Sequence, residues 1–339
     1  MLLYLLNESF ERIGIIDSYV SIIWTTRYQD VGEFELYLPS NNPNAFECGQ
    51  FLQRDDDKTI MVIENIEFSS DEETGDFCTL TGKSIEEILS RRIVWNKTQL
   101  IGNIEESMYR IIDENAINAD DKKRNIPNMK CAKLKGFSFT GTLVYHGETL
   151  LEVISTLCQT YDLGFKITYN NHEIVFEIYR GTDRSYNQTK NPYVVFSPNF
   201  DNLLNSTYRR ETESYKNVCL VYGETQRTSS GHATQTVGTE TGLNRRETFV
   251  DAGNEDTGSD YWERLTSKGQ EVLSEATLNE TFEAEIEPTY KYREDYFLGD
   301  IVQLENEYGI KATARIIEII ENEDESGYTC IPTFKTLEV

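Results

Sequence analysis

The chain has 339 residues, enough for two or three domains of about 100–150 residues each. Its composition, 38% hydrophobic and 27% charged, is that of a folded globular protein and excludes a chain that is disordered throughout. Its formal net charge of −26 argues against direct binding of nucleic acid, because such binding relies on Lys and Arg to neutralise phosphates. The 16 Phe and 20 Tyr residues favour half-buried strands over a helix bundle.

The negative charge is concentrated at the two ends of the chain. Residues 1–100 hold 18 acidic and 8 basic residues, a net charge of −10. Residues 101–250 hold 18 acidic and 17 basic residues, a net charge of −1. Residues 251–339 hold 22 acidic and 7 basic residues, a net charge of −15. An asymmetry on the scale of domains indicates that the middle of the chain differs in role from its ends.

The cysteines and the N-terminus indicate a protein that folds in a cytoplasm. The cysteines form no CxxC pair and have no His at ligand spacing, which favours buried, reduced thiols. They are Cys48, Cys78, Cys131, Cys158, Cys219 and Cys330. Residues 1–6 are too short for a signal peptide and no basic residue precedes them, so we expect a first β-strand there. No stretch approaches the ~18 apolar residues of a membrane span, so we expect no membrane insertion.

The N-terminal region has the pattern of antiparallel strands. Residues 18–28 are rich in β-branched and aromatic side chains, and residues 33–38 alternate between apolar and polar positions. Gly32 and Pro39 bracket that strand. Further strands are predicted at 60–68 and 77–81, on either side of an acidic turn. Ser84 and Glu87 have the spacing of a capping box, which predicts a short helix ending at Arg91 and Arg92.

The middle of the chain has helical periodicity. An amphipathic helix is predicted around residues 104–112, and the polar residues 118–135 are typical of an exposed loop. A second capping box, Thr149 and Glu152, begins a helix that ends near Gly164. Two strands at 165–169 and 173–179 are joined by two Asn residues, which predicts a hairpin.

Strand patterns return in the C-terminal region. Residues 225–242 are rich in Ser, Thr and Gly and predict a long mobile loop, and residues 259–278 predict a helix. The predicted strands are 193–197, 206–210, 218–223, 282–286, 301–305 and 313–320, with a last segment ending near residue 334.

No motif in the sequence points to catalysis. A nucleophile elbow, a P-loop, an HExxH motif, an EF-hand loop and a dinucleotide fingerprint are all absent. His146, His172 and His232 lie far apart in different local contexts, which favours ordinary surface histidines over a zinc site. We therefore predict no catalytic, cofactor-binding or metal-binding residues and no cofactor.

Acidic and aromatic residues leave two weaker alternatives. Adjacent acids at Asp55, Asp56 and Asp57 are typical of a solvated turn rather than a metal site, and an acid pair of the glycosidase kind cannot be picked out among so many carboxylates. Aromatic side chains could stack on sugars, but a core or subunit-interface role is favoured. The clearest of them are Trp24, Tyr28, Trp95 and Trp262.

Several stretches, in order along nearly the whole chain, resemble the tail hub proteins of siphophages and related prophages of Gram-positive bacteria. Each stretch is weak alone, and their order makes the resemblance specific. They are residues 15–28, 32–39, 80–93, 181–185, 196–202, 215–218, 242–247 and 296–302, the last containing the turn Gly299-Asp300. That turn has a structural explanation, since Gly permits a tight backbone and Asp can cap it.

The resemblance implies an α+β, mainly β fold with two tube-like antiparallel β-barrel domains, a peripheral α/β domain and a helical insertion. The expected boundaries are a tube-like domain at 1–95, a peripheral domain at 96–185, and a second tube-like domain at 186–339 with a loop and helix insertion at about 225–280. The resemblance also implies a homotrimeric, non-enzymatic baseplate hub in the virion tail tip, forming a pseudo-sixfold ring assembled in the host cytoplasm.

The implied partners are the distal tail protein, the tail tube and tape-measure proteins, and fibre or receptor-binding proteins. DNA would pass through the ring without specific binding, because carboxylates lining a duct repel phosphates. The chain ends about where the ring-forming part of such hubs ends, so we expect any lysin to be a separate protein. Two alternatives stay open: a tail-associated peptidoglycan hydrolase, and a cell-wall receptor-binding protein that uses the loop at 225–242.

Overall fold

The computed structural model describes residues 1–337 except 41, 74, 171, 226–231, 254–259, 286–288, 307 and 310. The mainly β, α+β class predicted from the sequence is confirmed. Among the described residues, no helix is both long and apolar enough to cross a membrane.

Seven antiparallel strands make up the N-terminal region. They are β1 (Leu3–Leu6), β2 (Arg12–Ile16), β3 (Ser21–Arg27), β4 (Glu33–Pro39), β5 (Phe51–Arg54), β6 (Ile60–Asp71) and β7 (Gly75–Ser84). They pair in the order β3-β4-β7-β6-β5-β1-β2. The predicted alternation in β4 is confirmed, because Phe34, Leu36 and Leu38 are buried while Glu33 and Glu35 are exposed. The buried row packs against Trp24, Leu80 and the apolar side chains of β1 and β5.

Residues 85–179 form the α+β middle of the chain. Its elements are a 3-10 helix (Ile85–Arg91), β8 (Thr98–Asn103), α1 (Ile104–Ile112), β9 (Met129–Cys131), β10 (Thr140–Tyr145), α2 (Leu150–Thr160), β11 (Gly164–Asn170) and β12 (Glu173–Tyr179). Short helical turns at Asp113–Ile117 and Lys122–Arg124 follow α1. The predicted hairpin of β11 and β12 is present. This region shares one apolar core with one face of β5 and β6, through Phe51, Ile60 and Val62.

Two predictions for this middle region need correction. The capping box at Thr149 and Glu152 is present, but the one at Ser84 is not, because the Ser84 hydroxyl accepts a hydrogen bond from the Gly32 amide at 2.8 Å instead. The polar stretch 118–135 is not all loop either. It contains β9, which pairs in parallel with β12 and so contributes to a sheet.

The C-terminal region contains the remaining strands. They are β13 (Val195–Phe196), β14 (Leu204–Glu211), β15 (Val218–Thr225), β16 (His232–Val237), β17 (Glu247–Asp251), β18 (Asn279–Glu285), β19 (Ile301–Glu305), β20 (Lys311–Asp324) and β21 (Gly327–Thr336), with 3-10 turns at Pro198–Phe200 and Gly242–Asn244. Helix α3 (Tyr261–Glu275) packs with β15, β16 and β17 around a small core of its own. Part of the predicted loop at 225–242 is therefore strand β16, and residues 226–231 lie outside the described part of the chain.

The strands of the two ends join in one sheet rather than closing into two separate barrels. Its main path runs β14-β18-β21-β20-β3-β4-β7-β6-β5-β1-β2, and in the described residues this path is open at both ends. Antiparallel pairing of β20 with β3 makes the junction. The predicted division into domains at 1–95, 96–185 and 186–339 stays a prediction, because this junction is continuous.

The two ends of the chain contain a structural repeat. In the hairpin of β6 and β7, the register runs from Ile63 opposite Gly82 to Asp71 opposite Gly75, with a β-bulge between Ile63 and Asn65. In the hairpin of β20 and β21 it runs from Ile316 opposite Phe334 to Asp324 opposite Gly327, with a bulge between Ile316 and Glu318. In each hairpin, the same number of residue pairs therefore separates the bulge from the tip.

The repeat extends to the strands on both sides of each hairpin. Gly49 and Gly299 both have positive φ, and their amides donate to the carbonyls of Ile63 and Ile316 at 2.8 Å in each case. Beyond the other strand of the hairpin, Phe34 of β4 lies opposite Gly82, and Phe282 of β18 lies opposite Phe334. In the order β3-β4-β7-β6, each strand thus corresponds to one in the order β14-β18-β21-β20.

Candidate functional site: the outer sheet face and the seam between the repeats

The junction of β3 and β20, which we call the seam, joins the two repeats. Its register runs from Arg27 opposite Glu318 to Ile22 opposite Glu323. On the core side of the sheet, Trp24 lies opposite Glu321, and both side chains are fully buried. A carboxylate in that position requires charged partners, because an unpaired buried charge is costly.

Two arginines supply these partners. Arg54, which is 1% exposed, lies 2.9 Å from the Glu321 carboxylate, and Arg293 lies 2.7 Å from it. Arg54 also pairs with Asp56 at 2.6 Å, and Arg293 with Asp57 at 2.9 Å. This network joins β20, which holds Glu321, to β5 and to the turn that follows β5.

The network adds a structural role to the acids at 55–57. Asp55 and Asp56 are exposed, as expected for a turn, but Asp56 and Asp57 are also held by arginines. Asp57 accepts further hydrogen bonds from the amides of Lys58 and Thr59. Burial alone would raise the pKa of Asp56, but hydrogen bonds from Arg54 and the nearby charges of Arg54 and Arg293 hold it below its ordinary value. These acids are therefore structural.

The turn Gly299-Asp300 has the structural role predicted for it. Gly299 has a φ of +89°, and a Cβ there would lie 2.5 Å from the ring of Tyr28. The Asp300 carboxylate accepts from the Thr182 amide at 2.7 Å and from the Phe297 amide at 3.1 Å, and it pairs with Arg184 at 2.7 Å. This turn fastens the C-terminal repeat to the end of the middle region.

A second buried arginine, Arg315, also joins the C-terminal repeat to the middle region. Arg315 forms a two-pronged ion pair with Asp162, at 2.9 and 2.5 Å, and donates to the carbonyl of Gly299 at 2.6 Å. Its guanidinium also lies over the ring of Tyr28. The middle region is thus bound to both repeats through polar contacts that no local sequence motif predicts.

One face of the central sheet is covered by the two cores. Most of the opposite face, which we call the outer face, is exposed or half-buried, although Thr25 is buried there and Val62 is covered by the middle region. Its rows are in register across strands, as in the row Asn322, Ile23, Glu35, Thr81, Asn65. The outer face is defined by Ile23, Arg27, Glu33, Glu35, Tyr37, Asn65, Glu67, Ser69, Thr79, Thr81, Lys83, Glu318, Ile320 and Asn322.

The charges on the outer face are unbalanced towards carboxylates. Arg27 is held between Glu318 and Glu33, each at 2.6 Å, and Lys83 lies 3.2 Å from Glu87. Glu35 and Glu67 are exposed as well. The two cations of this face are therefore already paired with carboxylates, which leaves them poorly placed to bind phosphates.

Further acidic residues lie at the tips of the two long hairpins. Glu72, Glu73 and Asp76 are exposed at the tip of the first, and Asp324 and Glu325 at the tip of the second. The acidic surplus of the two chain ends is thus found partly at corresponding places in the repeat.

A cleft of 1240 Å³ lies where the two repeats meet the hairpin of β11 and β12. Glu86, which is buried, lines it and accepts a hydrogen bond from the Ile167 amide at 2.6 Å. Burial raises the pKa of the Glu86 carboxyl. Other carboxylates of the lining, Asp56, Asp57 and Asp300, are bound to arginines. These four acids therefore help to hold the fold together, and Glu11, Asp30 and Asp55 line the cleft as well.

The candidate metal residues do not converge in the described part of the chain. No group of three or more His, Cys, Asp or Glu side chains there could hold a metal ion. His146 is exposed before α2, and His172 is exposed beside the ring of Tyr169, while the side chain of His232 lies outside what is described. Of the cysteines, Cys78, Cys158 and Cys219 are buried thiols, Cys131 and Cys330 are half-buried, and Cys48 is exposed.

The four aromatic residues singled out in the sequence divide into two kinds. Trp24 and Tyr28 are fully buried, which agrees with the core role favoured for them. Trp95 and Trp262 are 59% and 48% exposed, with Arg124 lying over the Trp95 ring. They do not gather into a platform with the buried pair.

One family model covers nearly the whole chain. The family described as "Siphovirus ReqiPepy6 Gp37-like protein" matches residues 2–334, and the chain belongs to this family of siphovirus proteins. No curated protein sequence matches the chain.

Three solved structures share its fold. The 43 kDa tail protein of prophage MuSo2 from Shewanella oneidensis has a TM-score of 0.62 and 13% identity, covering 99% of this chain and 98% of that chain. The tail protein from Neisseria meningitidis MC58 has a TM-score of 0.64 and 11% identity, covering 98% and 95%. The E. coli c3393 protein, a type VI secretion component with structural similarity to T4 tail proteins gp27 and gp5, has a TM-score of 0.50 and 9% identity, covering 95% and 75%.

Proposed function

We propose that this chain is a phage or prophage tail protein, a non-enzymatic baseplate hub of which three copies form a pseudo-sixfold ring that caps the tail tube and gives DNA a channel. The single observation that carries this proposal is the repeat. Each chain contributes two equivalent four-stranded units, so three chains supply six units, the number needed to match a hexameric tube.

The outer face would line the channel. The cores of the two repeats cover one face of the central sheet, which leaves the part of the outer face beyond the middle region to be turned towards the ring axis. Its exposed carboxylates and hydroxyls, together with cations already held by carboxylates, would let DNA pass without binding tightly. The acidic hairpin tips would stand together at one rim of the ring.

The middle region would lie at the periphery, where the proposed partners bind. These are the distal tail protein, the tail tube and tape-measure proteins, and fibres or receptor-binding proteins at the virion tail tip, with assembly in the host cytoplasm. The c3393 protein gives support by analogy, since it combines this fold with similarity to T4 gp27 and gp5.

The oligomeric state tests the proposal. We expect light scattering of the purified chain to report a trimer, and electron microscopy to show rings with a central opening. A chain that stays monomeric, and forms no ring with tail-tube protein, would contradict it. Cleavage of peptidoglycan by the purified chain, abolished by Glu86→Gln in the cleft, would overturn its non-enzymatic part.

A further inference from the structure

We propose that β6 of one copy pairs with β14 of the next copy, in the register of the seam between β20 and β3. This inference rests on the proposed ring and specifies the interface that closes it. It comes from the repeat, because β6 corresponds to β20 and β14 corresponds to β3. The seam inside the chain thus serves as a template for the seam between chains.

Both strands have an edge without a strand partner in the described part of the chain. Beyond its bulge, β6 pairs with β7 on one side, while β5 reaches only the stretch from Ile60 to Val62 on the other. Strand β14 pairs with β18 alone and ends the path of the sheet. Unpaired edges invite strand addition by another chain.

These two edges differ from each other, as a closed ring of more than two copies requires. A heterologous interface joins unlike surfaces head to tail, and it closes when the rotation between copies completes a circle. From β14 to β6, both included, the sheet contains eight strands in continuous antiparallel order. Three copies joined at these edges would therefore form one closed sheet around the axis.

The template fixes which residues face each other. Inside the chain, Ile320 lies opposite Thr25 and Glu321 opposite Trp24. The corresponding residues are Glu67 and Phe68 in β6, and Arg209 and Tyr208 in β14, as the registers of both hairpins and of β14 with β18 require. The register between copies then sets Glu67 opposite Arg209 of the next copy, and Phe68 opposite its Tyr208.

The side chains at these positions are complementary. Glu67 and Arg209 are exposed and of opposite charge, and opposite charges across a strand pair stabilise it. Phe68 is 40% exposed, whereas its counterpart Glu321 is fully buried under the seam. Pairing with Tyr208 would cover the Phe68 ring with a second aromatic ring. An exposed aromatic residue at a free edge thereby gains a partner.

Disulfide trapping tests the register. Ser69 corresponds to Asn322 and Thr207 to Ile23, so these two exposed residues lie opposite each other in the proposed seam. We would combine Ser69→Cys with Thr207→Cys in the full chain, with the exposed Cys48 changed to Ser. Opposed Cα atoms are about 4.5–5.5 Å apart, within the reach of a disulfide.

A matched control carries Glu67→Cys with Thr207→Cys in the same background. That pair is offset by two residues, and diagonal neighbours are about 7–8 Å apart, beyond the usual span of a disulfide. We expect mild oxidation to give covalent dimers and trimers from the opposed pair, at least tenfold more than from the offset pair. Circular dichroism of both variants would verify that each is folded.

The outcomes separate the seam from the ring. Trimers that form by light scattering without preferential trapping of the opposed pair would overturn the seam and leave the ring intact. A chain that stays monomeric at every concentration, with neither pair trapped, would overturn both. Charge exchange gives a second readout: Glu67→Arg should weaken the trimer at least tenfold, and Arg209→Glu in the same chain should restore it. Glu35→Arg, on the same face but inside the sheet, should leave trimer affinity within about twofold.

Discussion

The two long hairpins share one backbone design but differ in what meets their outer edge. Both have the same register and the same bulge, yet Glu321 at the edge of the second is buried by Arg54 and Arg293, while Phe68 at the same place in the first is 40% exposed. The comparison teaches that the two hairpins can share a backbone register while the residue type at their outer edge differs. That residue type depends on which partner covers the edge. A buried charge network belongs to the seam made within each chain.

The largest expected effect comes from removing the charge under that seam. Glu321→Ala leaves Arg54 buried with one carboxylate partner fewer, and breaking a buried ion pair on one side costs roughly 3–5 kcal/mol of unfolding free energy. Phe68→Ala in the equivalent position should cost no more than about 1 kcal/mol in the monomer, because surface truncations have small effects. Urea unfolding followed by the fluorescence of the chain's tryptophans, at concentrations below ring formation, measures both.

Equal losses for the two variants would break the comparison. Glu325→Ala, at the exposed hairpin tip, controls for the loss of one negative charge and should change stability by less than about 0.5 kcal/mol.

A smaller effect should separate the two equivalent glycines. Gly299→Ala would combine a strained positive φ with a collision against the Tyr28 ring at 2.5 Å, and should lower the unfolding free energy by about 2–4 kcal/mol. Gly49→Ala has a similar φ but meets only a Glu8 oxygen at 3.7 Å, so strain alone should cost about 1–2 kcal/mol. The difference between their thermal midpoints is the measurement. A larger loss at Gly49 would show that the Tyr28 contact is not what separates them.

The smallest effect concerns acid. The pKa of Asp56 is held below its ordinary value in the folded chain, so its contribution to stability is present above the unfolded pKa of about 4 and is lost as pH falls through the folded one. Because this side chain is half exposed, the contribution is at most about 1 kcal/mol. Asp56→Asn should therefore lower urea midpoints at pH 7 and flatten their decline towards pH 3. Asp17→Asn serves as the matched control, and an unchanged slope in Asp56→Asn would remove Asp56 from the network.

Local patterns in the sequence predicted the strands well and their partners poorly. The strand at 301–305 was predicted at the residues where it lies, and the hairpin at 165–179 within one residue, because alternation and turn residues are local signals. The register of β3 with β20 depends on residues nearly three hundred positions apart, which no local pattern records. The pairing of Arg54 and Arg293 with Glu321 was missed for the same reason.

The repeat can also be detected in the amino-acid sequence. Glycine, cysteine and lysine recur at the same spacing after each hairpin tip. The matching residues are Gly75 and Gly327, Cys78 and Cys330, and Lys83 and Lys335. Acidic runs also precede both glycines. The expectation of a carboxylate-lined channel drew on the same acids, and it stays a prediction about the outer face and the tips.

The bulge has a consequence for how the two halves could diverge over time. The tips differ in length, with three residues between β6 and β7 and two between β20 and β21, so length can change there without altering either strand. An insertion or deletion at the bulge would instead reverse the alternation of every following residue, moving Glu67 inward and Ile66 outward. A change in length is therefore tolerated at the hairpin tips and is not tolerated at the bulge. The extra residue before Asn65 and before Glu318 is therefore what keeps the same side chains on the outer face in both hairpins.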